Sequence, residues 1–74
     1  MNAIGLIELN SIARGISVWD TMVKAASVEL LTASTICPGK YIILIGGDVG
    51  AVSTSVERGI EESTPWLVDS LVIP

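Results

Sequence analysis

The chain has 74 residues; half of them are hydrophobic, 16% are charged, and the formal net charge is −4. One cysteine and no histidine exclude an intrachain disulfide and a histidine–cysteine metal site within one chain. The few basic residues are scattered, so the positive surface that nucleic acid binding requires is missing. The longest unbroken apolar run covers residues 41–45, far too short for a membrane span. With no signal peptide pattern, we expect a cytoplasmic protein in a reducing compartment.

This length predicts one domain over residues 1–74, small enough that its stability is marginal without disulfides, metals or self-association. Its apolar side chains are more numerous than one small core can hide. Exposed apolar surface of this extent is typical of a partner interface. We therefore expect the chain to form oligomers.

The first elements along the chain are a strand and a helix. Residues 3–9 (AIGLIEL) are aliphatic and predict the strand, and Asn10 or Ser11 can cap the helix that follows. The helix is predicted from an apolar stripe at three- and four-residue spacing: Ile12, Ile16, Trp19, Met22, Val23 and Ala26. Arg14, Asp20 and Lys24 fall on the opposite, solvated side.

The rest of the chain predicts a hairpin, a second helix and a last strand. Strands over 28–34 and 40–45 flank a turn at Cys37-Pro38-Gly39, and Gly46-Gly47 ends the second of them. Asp48 is a good N-cap for a helix that ends before Pro65 and whose stripe is Val49, Val52, Val56 and Ile60. Residues 66–73 form the last strand. The order β-α-β-β-α-β predicts an α+β, ferredoxin-like fold: a four-stranded antiparallel sheet with two helices on one face.

Catalytic patterns are weak in this sequence. Glu57, Glu61 and Glu62 lie in a polar run with Arg58, which favours a solvated face over a catalytic carboxylate pair. Without histidine, and with one cysteine, a single chain offers no recognisable nucleophile and base. The turn at Gly46-Gly47-Asp48-Val49-Gly50 matches neither glycine-rich phosphate-binding spacing. We expect the protein not to be an enzyme.

Cys37 leaves two interpretations open. Free cysteines usually behave as small, inert hydrophobic residues. A hairpin turn beside Pro38 and Gly39, however, can present a sulfur to something outside the monomer. The residues alone do not favour one interpretation over the other.

Two segments carry a resemblance to a known family. Residues 20–26 (DTMVKAA) and 47–52 (GDVGAV) are similar to the conserved helix and turn segments of the bacterial microcompartment shell protein domain. The resemblance extends over almost the whole chain. It implies cyclic, six-sided discs, either hexamers or pseudo-hexamers, that tile with other shell proteins into a microcompartment shell. It also implies that Lys24 is the disc-edge lysine that contacts neighbouring discs.

The turn TICPGK, residues 35–40, resembles the first domain of tandem shell proteins of propanediol-utilisation compartments. That resemblance implies a pore on the disc axis lined by Ile36, Cys37, Pro38 and Gly39. It further implies a 4Fe-4S iron–sulfur cluster held by Cys37 from symmetry-related subunits, for electron transfer or redox sensing. One alternative is a plain hexameric metabolite pore with a reduced Cys37. Another is a monomeric small-molecule binding module, since ferredoxin-like folds serve many functions.

Overall fold

The computed structural model describes residues 2–37 and 39–74, with the backbone alone at Cys37. The elements in chain order are β1 (Ala3–Leu9), α1 (Ile12–Ala25), β2 (Glu29–Cys37), β3 (Lys40–Gly47), α2 (Val49–Ser63) and β4 (Leu67–Ile73). The strands form one sheet in the order β2-β3-β1-β4, and all neighbours are antiparallel. Both helices pack on one face of it, so the predicted ferredoxin-like α+β arrangement is confirmed.

The core lies between the two helices and the central strands. Alternate residues of β1 and β3 face the helices, as the two-residue period of a strand requires, and Ile7 and Ile43 are fully buried there. Burying one such side chain stabilises a fold by about 1.5–3 kcal/mol. The buried apolar residues are Ala3, Ile7, Leu9, Val18, Met22, Tyr41, Ile43, Ile45, Val52 and Val56.

The buried face of α1 differs from the predicted apolar stripe. Gly15, Val18 and Met22 are the buried residues of the helix, whereas Ile12 is 41% and Ile16 is 54% exposed. The helix turns its glycine toward the sheet because only a residue without a side chain fits against Tyr41. A Cβ at Gly15 would lie 2.2 Å from the Tyr41 ring. Two of the six residues in the predicted stripe, Ile12 and Ile16, are therefore exposed.

The hairpin strands are longer than predicted. β3 continues through Gly46 and Gly47, where the sequence predicts its end. Gly46 pairs with Ile4 on one side and with Glu29 on the other, so pairing on both sides keeps this segment extended despite its glycines. β2 likewise runs to Cys37 instead of ending at residue 34.

The helix N-termini lie where the capping residues predict. The Ser11 hydroxyl accepts a hydrogen bond from the backbone N–H of Arg14 at 3.2 Å. Asp48 is the N-cap of α2 through its backbone carbonyl, which accepts from the Val52 N–H at 2.8 Å, while its carboxylate makes no capping bond. Within the described residues, neither helix is long and apolar enough to cross a membrane.

Candidate functional site

One end of the sheet carries the β2–β3 hairpin together with the ends of the two other strands. Cys37 pairs with Lys40 across the hairpin, and Tyr41, next to Lys40, pairs with Leu9 at the end of β1. Leu9 also pairs with Leu67, the first residue of β4. The β1–α1 and α2–β4 connections therefore lie at the same end of the sheet as the hairpin, which we call the hairpin end.

The described residues of the hairpin tip are exposed. Ile36 is 51% exposed, and Gly39 has a φ of 78° with no atom within 4 Å of the position of a Cβ. The backbone of Cys37 ends β2, while its side chain and the whole of Pro38 lie outside the described residues. The structure thus brings Ile36, the Cys37 backbone and Gly39 together at one tip, and the predicted pore-lining role of these residues stays a prediction.

Gly39→Ala is expected to destabilise the domain by about 1 kcal/mol, because alanine is strained at positive φ. Gly50→Ala is the matched control, since a Cβ there also meets open space but on the ordinary backbone of α2. That control should stabilise the domain by up to about 1 kcal/mol through helix propensity. Urea unfolding of both variants measures the change in the free energy of unfolding. Equal changes of the same sign would contradict the positive φ at Gly39.

Two basic residues, Lys40 and Arg14, make contacts that border the hairpin end. Lys40 lies 3.4 Å from a carboxylate oxygen of Glu8 on the sheet face that the helices leave open. On the helix side, the Arg14 guanidinium stacks over the Trp66 ring at 4.3 Å from its centroid and lies 4.0 Å from Glu62. Cation–π contacts of this exposure contribute about 0.5–1 kcal/mol. The two Arg14 contacts join α1 to the end of α2 and to the α2–β4 connection.

Sequence reasoning missed the Arg14–Trp66 contact. The periodicity of α1 predicts a solvated Arg14, and residue 66 is predicted to open the last strand, which in fact begins at Leu67. The side chains are far apart in the chain, and only the docking of both helices on the sheet brings them together. The signal available in the sequence was that an arginine lies near the predicted start of α1 and a tryptophan at the predicted start of the last strand.

Lys24 lies at the opposite end of the sheet. Helix α1 starts beside the hairpin end and finishes near the start of β2, where Glu29 pairs with Gly46. The Lys24 side chain is 73% exposed and its ammonium lies 2.9 Å from Asp20, one helical turn earlier. Such exposed pairs contribute at most about 1 kcal/mol, so Asp20 holds Lys24 only weakly.

The acidic residues of α2 form no recognisable centre. Glu57 and Glu61 are exposed, and Glu61 pairs with Arg58 on the same helix. Over residues 2–36 and 39–74, no three acidic side chains come close enough to hold a metal ion.

The architecture and the sequence match one family. The BMC domain family covers residues 3–74. The chain belongs to this family. The BMC domain is 51% identical over 72 residues to the bacterial microcompartment shell protein PduT of Citrobacter freundii. It superposes with a TM-score of 0.95 and 53% identity on the crystal structure of a microcompartment protein from Desulfitobacterium hafniense DCB.

These relatives are longer than the chain. It covers 39% of PduT and 40% of the Desulfitobacterium protein, while 97% of its own length is matched in both. A further relative is the carboxysome shell protein CcmK2 of Synechocystis sp., 39% identical over 59 residues, with 80% of this chain and 57% of that protein covered. The chain thus spans about two fifths of the relatives it matches over nearly its full length.

Proposed function

We propose that this BMC domain is a building block of a bacterial microcompartment shell and forms a cyclic, six-sided disc with the hairpin end at the axis. Support comes from the family and from the names of its relatives, which are shell proteins of microcompartments and carboxysomes. The observation that carries the proposal is the open hairpin end, where Ile36 before Cys37 is exposed and a Cβ at Gly39 after it would meet no atom within 4 Å. Such a tip is suited to meeting its own copies around an axis.

We further propose that Cys37 binds an iron–sulfur cluster on this axis. One chain supplies a single thiol, whereas iron–sulfur clusters are usually held by four thiolates. The donor set would therefore fit a cluster only where several copies of the chain converge on one axis and each contributes its Cys37 thiolate. When bound, such a cluster supplies one-electron transfer.

Ile36, Pro38 and Gly39 are proposed to form the rim around the cysteines. Ile36 offers an apolar side chain that keeps water from the thiolates, and Gly39 lets backbones approach because it carries no side chain. Lys40, which pairs with Cys37 in the hairpin, lies 3.4 Å from a carboxylate oxygen of Glu8.

Anaerobic reconstitution with iron and sulfide tests the cluster. The chain should turn brown, and native mass spectrometry should show a ring that carries iron and sulfide. Cys37→Ser should retain the ring mass and lose iron, colour and visible absorption, because a hydroxyl does not replace the thiolate. A colourless wild-type ring would contradict the cluster and favour the metabolite pore; a monomer would contradict the disc itself.

Lys24 is proposed as a contact between neighbouring discs, because it is exposed at the end of the sheet opposite the hairpin. Lys24→Ala should abolish flat sheets in electron micrographs while the ring mass is unchanged. Lys40→Ala is the control at the hairpin end and should leave sheet formation intact. Flat sheets formed by the Lys24→Ala variant would contradict the proposed role of Lys24 at the disc edge.

A further inference from the structure

A cleft opens on the helix side of the hairpin end, between the first turns of α1 and the α2–β4 connection. It has a volume of about 200 Å³ and is lined by Ser11, Ala13, Arg14, Ser17 and Trp66. Ala13 and Ser17 are exposed and lie one helical turn apart, whereas Gly15 between them is buried against the sheet. The cleft therefore opens away from the sheet. The roles proposed above for Cys37 and Lys24 do not involve it.

Arg14 supplies the positive charge of this cleft. Its guanidinium lies over the Trp66 ring, a contact that uses the face of the group, while its five N–H donors lie in the plane of the group. The Glu62 carboxylate oxygen is 4.0 Å from Nη1 of Arg14, longer than the roughly 2.7–3.2 Å of a hydrogen bond. Trp66 thus positions Arg14 and leaves N–H donors that an added acceptor can bind.

The rest of the cleft adds a donor and apolar surface. The Ser11 hydroxyl accepts a hydrogen bond from the Arg14 backbone N–H at 3.2 Å, so its own O–H can donate into the cleft. None of the described residues that line the cleft is acidic. Helix α1, described over its whole length, also has no acidic residue in its first turn, so its positive N-terminal dipole is not neutralised there. Ala13 and the Trp66 ring form the apolar walls.

This combination favours a ligand with one negative charge and a short apolar body. A carboxylate matches a guanidinium through two parallel N–H···O bonds, and its carbon chain can pack against the apolar walls. One arginine does not balance the two charges of a phosphate, and the net charge of −4 on the chain disfavours such an anion further. Since a water molecule occupies about 30 Å³, the cleft has room for about six heavy atoms.

We propose that this cleft binds a small organic carboxylate, whose oxygens accept hydrogen bonds from Arg14 and Ser11 while its carbon chain packs against Trp66. The site is complete in each copy of the domain, so the inference does not depend on the proposed disc. In that disc the hairpin ends meet at the axis, and the clefts of all copies would surround the axis on the helix side. Anionic molecules would be favoured over neutral ones there.

Titration with sodium butyrate, followed by heteronuclear NMR, tests the site. The chain has two tryptophans and hence two indole N–H signals, which Trp66→Phe assigns. The Trp66 signal should shift saturably, with a dissociation constant on the order of millimolar for so small a ligand. The Trp19 signal is the internal control, because this side chain packs against the core. An equal response to sodium chloride, or to the neutral analogue butyramide, would overturn the carboxylate site.

Arginine variants test the charged contact. Arg14→Gln should weaken butyrate binding by about tenfold or more, and Arg14→Lys should weaken it as well, because an ammonium lacks the planar pair of donors. Arg58→Gln is the matched control: Arg58 is the other arginine of the chain, is 52% exposed and pairs with Glu61. It should bind butyrate as the wild type does. Equal weakening in Arg14→Gln and Arg58→Gln would reduce the effect to net charge and overturn the site.

Ser11 variants test the position of the carboxylate without removing the helix cap. Aspartate and asparagine both cap helices well, so Ser11→Asp and Ser11→Asn should both stay folded by circular dichroism. Ser11→Asp places a negative charge in the cleft and should abolish butyrate binding. Ser11→Asn is neutral and should retain most of it. Binding that survives Ser11→Asp would contradict a carboxylate held between Arg14 and Ser11.

Native mass spectrometry of the same samples separates this inference from the proposed disc. A monomer that shows the saturable, Arg14-dependent shift would support the carboxylate site and contradict the disc. Rings that show no saturable shift of the Trp66 signal would support the disc and overturn the carboxylate site.

Discussion

Gly15→Ala is expected to destabilise the domain by about 2 kcal/mol, although alanine is the better helix former by about 1 kcal/mol. The added methyl carbon would lie 2.2 Å from Cδ2 of Tyr41, far inside the 3.5–4.0 Å at which carbon atoms attract each other. Tyr41 is 7% exposed, and its rigid ring lies against α1 with little room to move aside. Helix α1 or β3 must therefore shift.

Gly59→Ala is the control for this prediction. A Cβ at Gly59 would approach Cδ1 of Ile7 to 2.5 Å and both Cγ and the sulfur of Met22 to 2.8 Å, but these atoms belong to flexible aliphatic side chains and not to a rigid ring. We expect a smaller loss there, because a change of rotamer relieves the contact. The midpoint of thermal unfolding, compared at one protomer concentration, measures both losses. We expect the midpoint to fall by about 4–8 °C for each kcal/mol of stability lost. An unchanged or higher midpoint for Gly15→Ala would show that helix and sheet are not in this contact.

Ile43→Ala is expected to have the largest effect on stability, about 2–5 kcal/mol. Ile43 is fully buried on the helix side of β3, between β1 and β2, so its removal leaves a cavity in the centre of the core. A chain of this length has a total stability of about 4–11 kcal/mol. The variant should consequently lose a large share of this stability and unfold at a lower urea concentration.

Ile42→Ala provides the comparison for Ile43, since the two residues are neighbours on opposite faces of β3. Ile42 is half-buried on the sheet face opposite the helices, so truncation there removes fewer contacts and we expect a loss of about 1 kcal/mol. Urea unfolding should be compared at one protomer concentration, since association raises apparent stability. Equal losses for the two variants would mean that the core is not concentrated on the helix side.

Both variants bear on the candidate site because the hairpin is attached to the core through β3. Tyr41 follows Lys40 directly and is held by α1, and Ile43 anchors the next residues of the strand. The exposed tip can keep one position relative to the sheet because these two side chains are buried. In the proposed ring, that position decides where each Cys37 stands relative to the axis.

Much of the architecture could be predicted from the residues alone. The aliphatic composition of residues 3–9 predicts β1, and the spacing of Val52, Val56 and Ile60 predicts the face of α2 that packs on the core, whereas Val49 of the same predicted stripe is 43% exposed. Ser11 and Asp48 predict both helix starts correctly, since capping depends on residues close in the chain. The lone cysteine beside Pro38 and Gly39 marks the hairpin tip before any coordinates are known.

The orientation of α1 could not be predicted in this way. Its apolar residues outnumber the positions that one face can bury, so periodicity alone allows several rotations of the helix on the sheet. Contact between Gly15 and Tyr41 selects the rotation, and these residues are distant in the chain. The same holds for Arg14 and Trp66, whose contact exists because both connections end at the hairpin end.

The sequence by itself determined the order of the elements and the fold class, because strand composition, helical periodicity, caps and turns are local properties. It also singled out Cys37, the residue on which the proposed chemistry depends. Only the tertiary structure decided which apolar side chains the domain buries and which it leaves exposed. That decision follows from packing between distant segments: α1 docks through its glycine, which buries Val18 and Met22 and leaves Ile12 and Ile16 exposed. The surplus of apolar residues was visible in the composition, but its division into a buried core and exposed side chains was not.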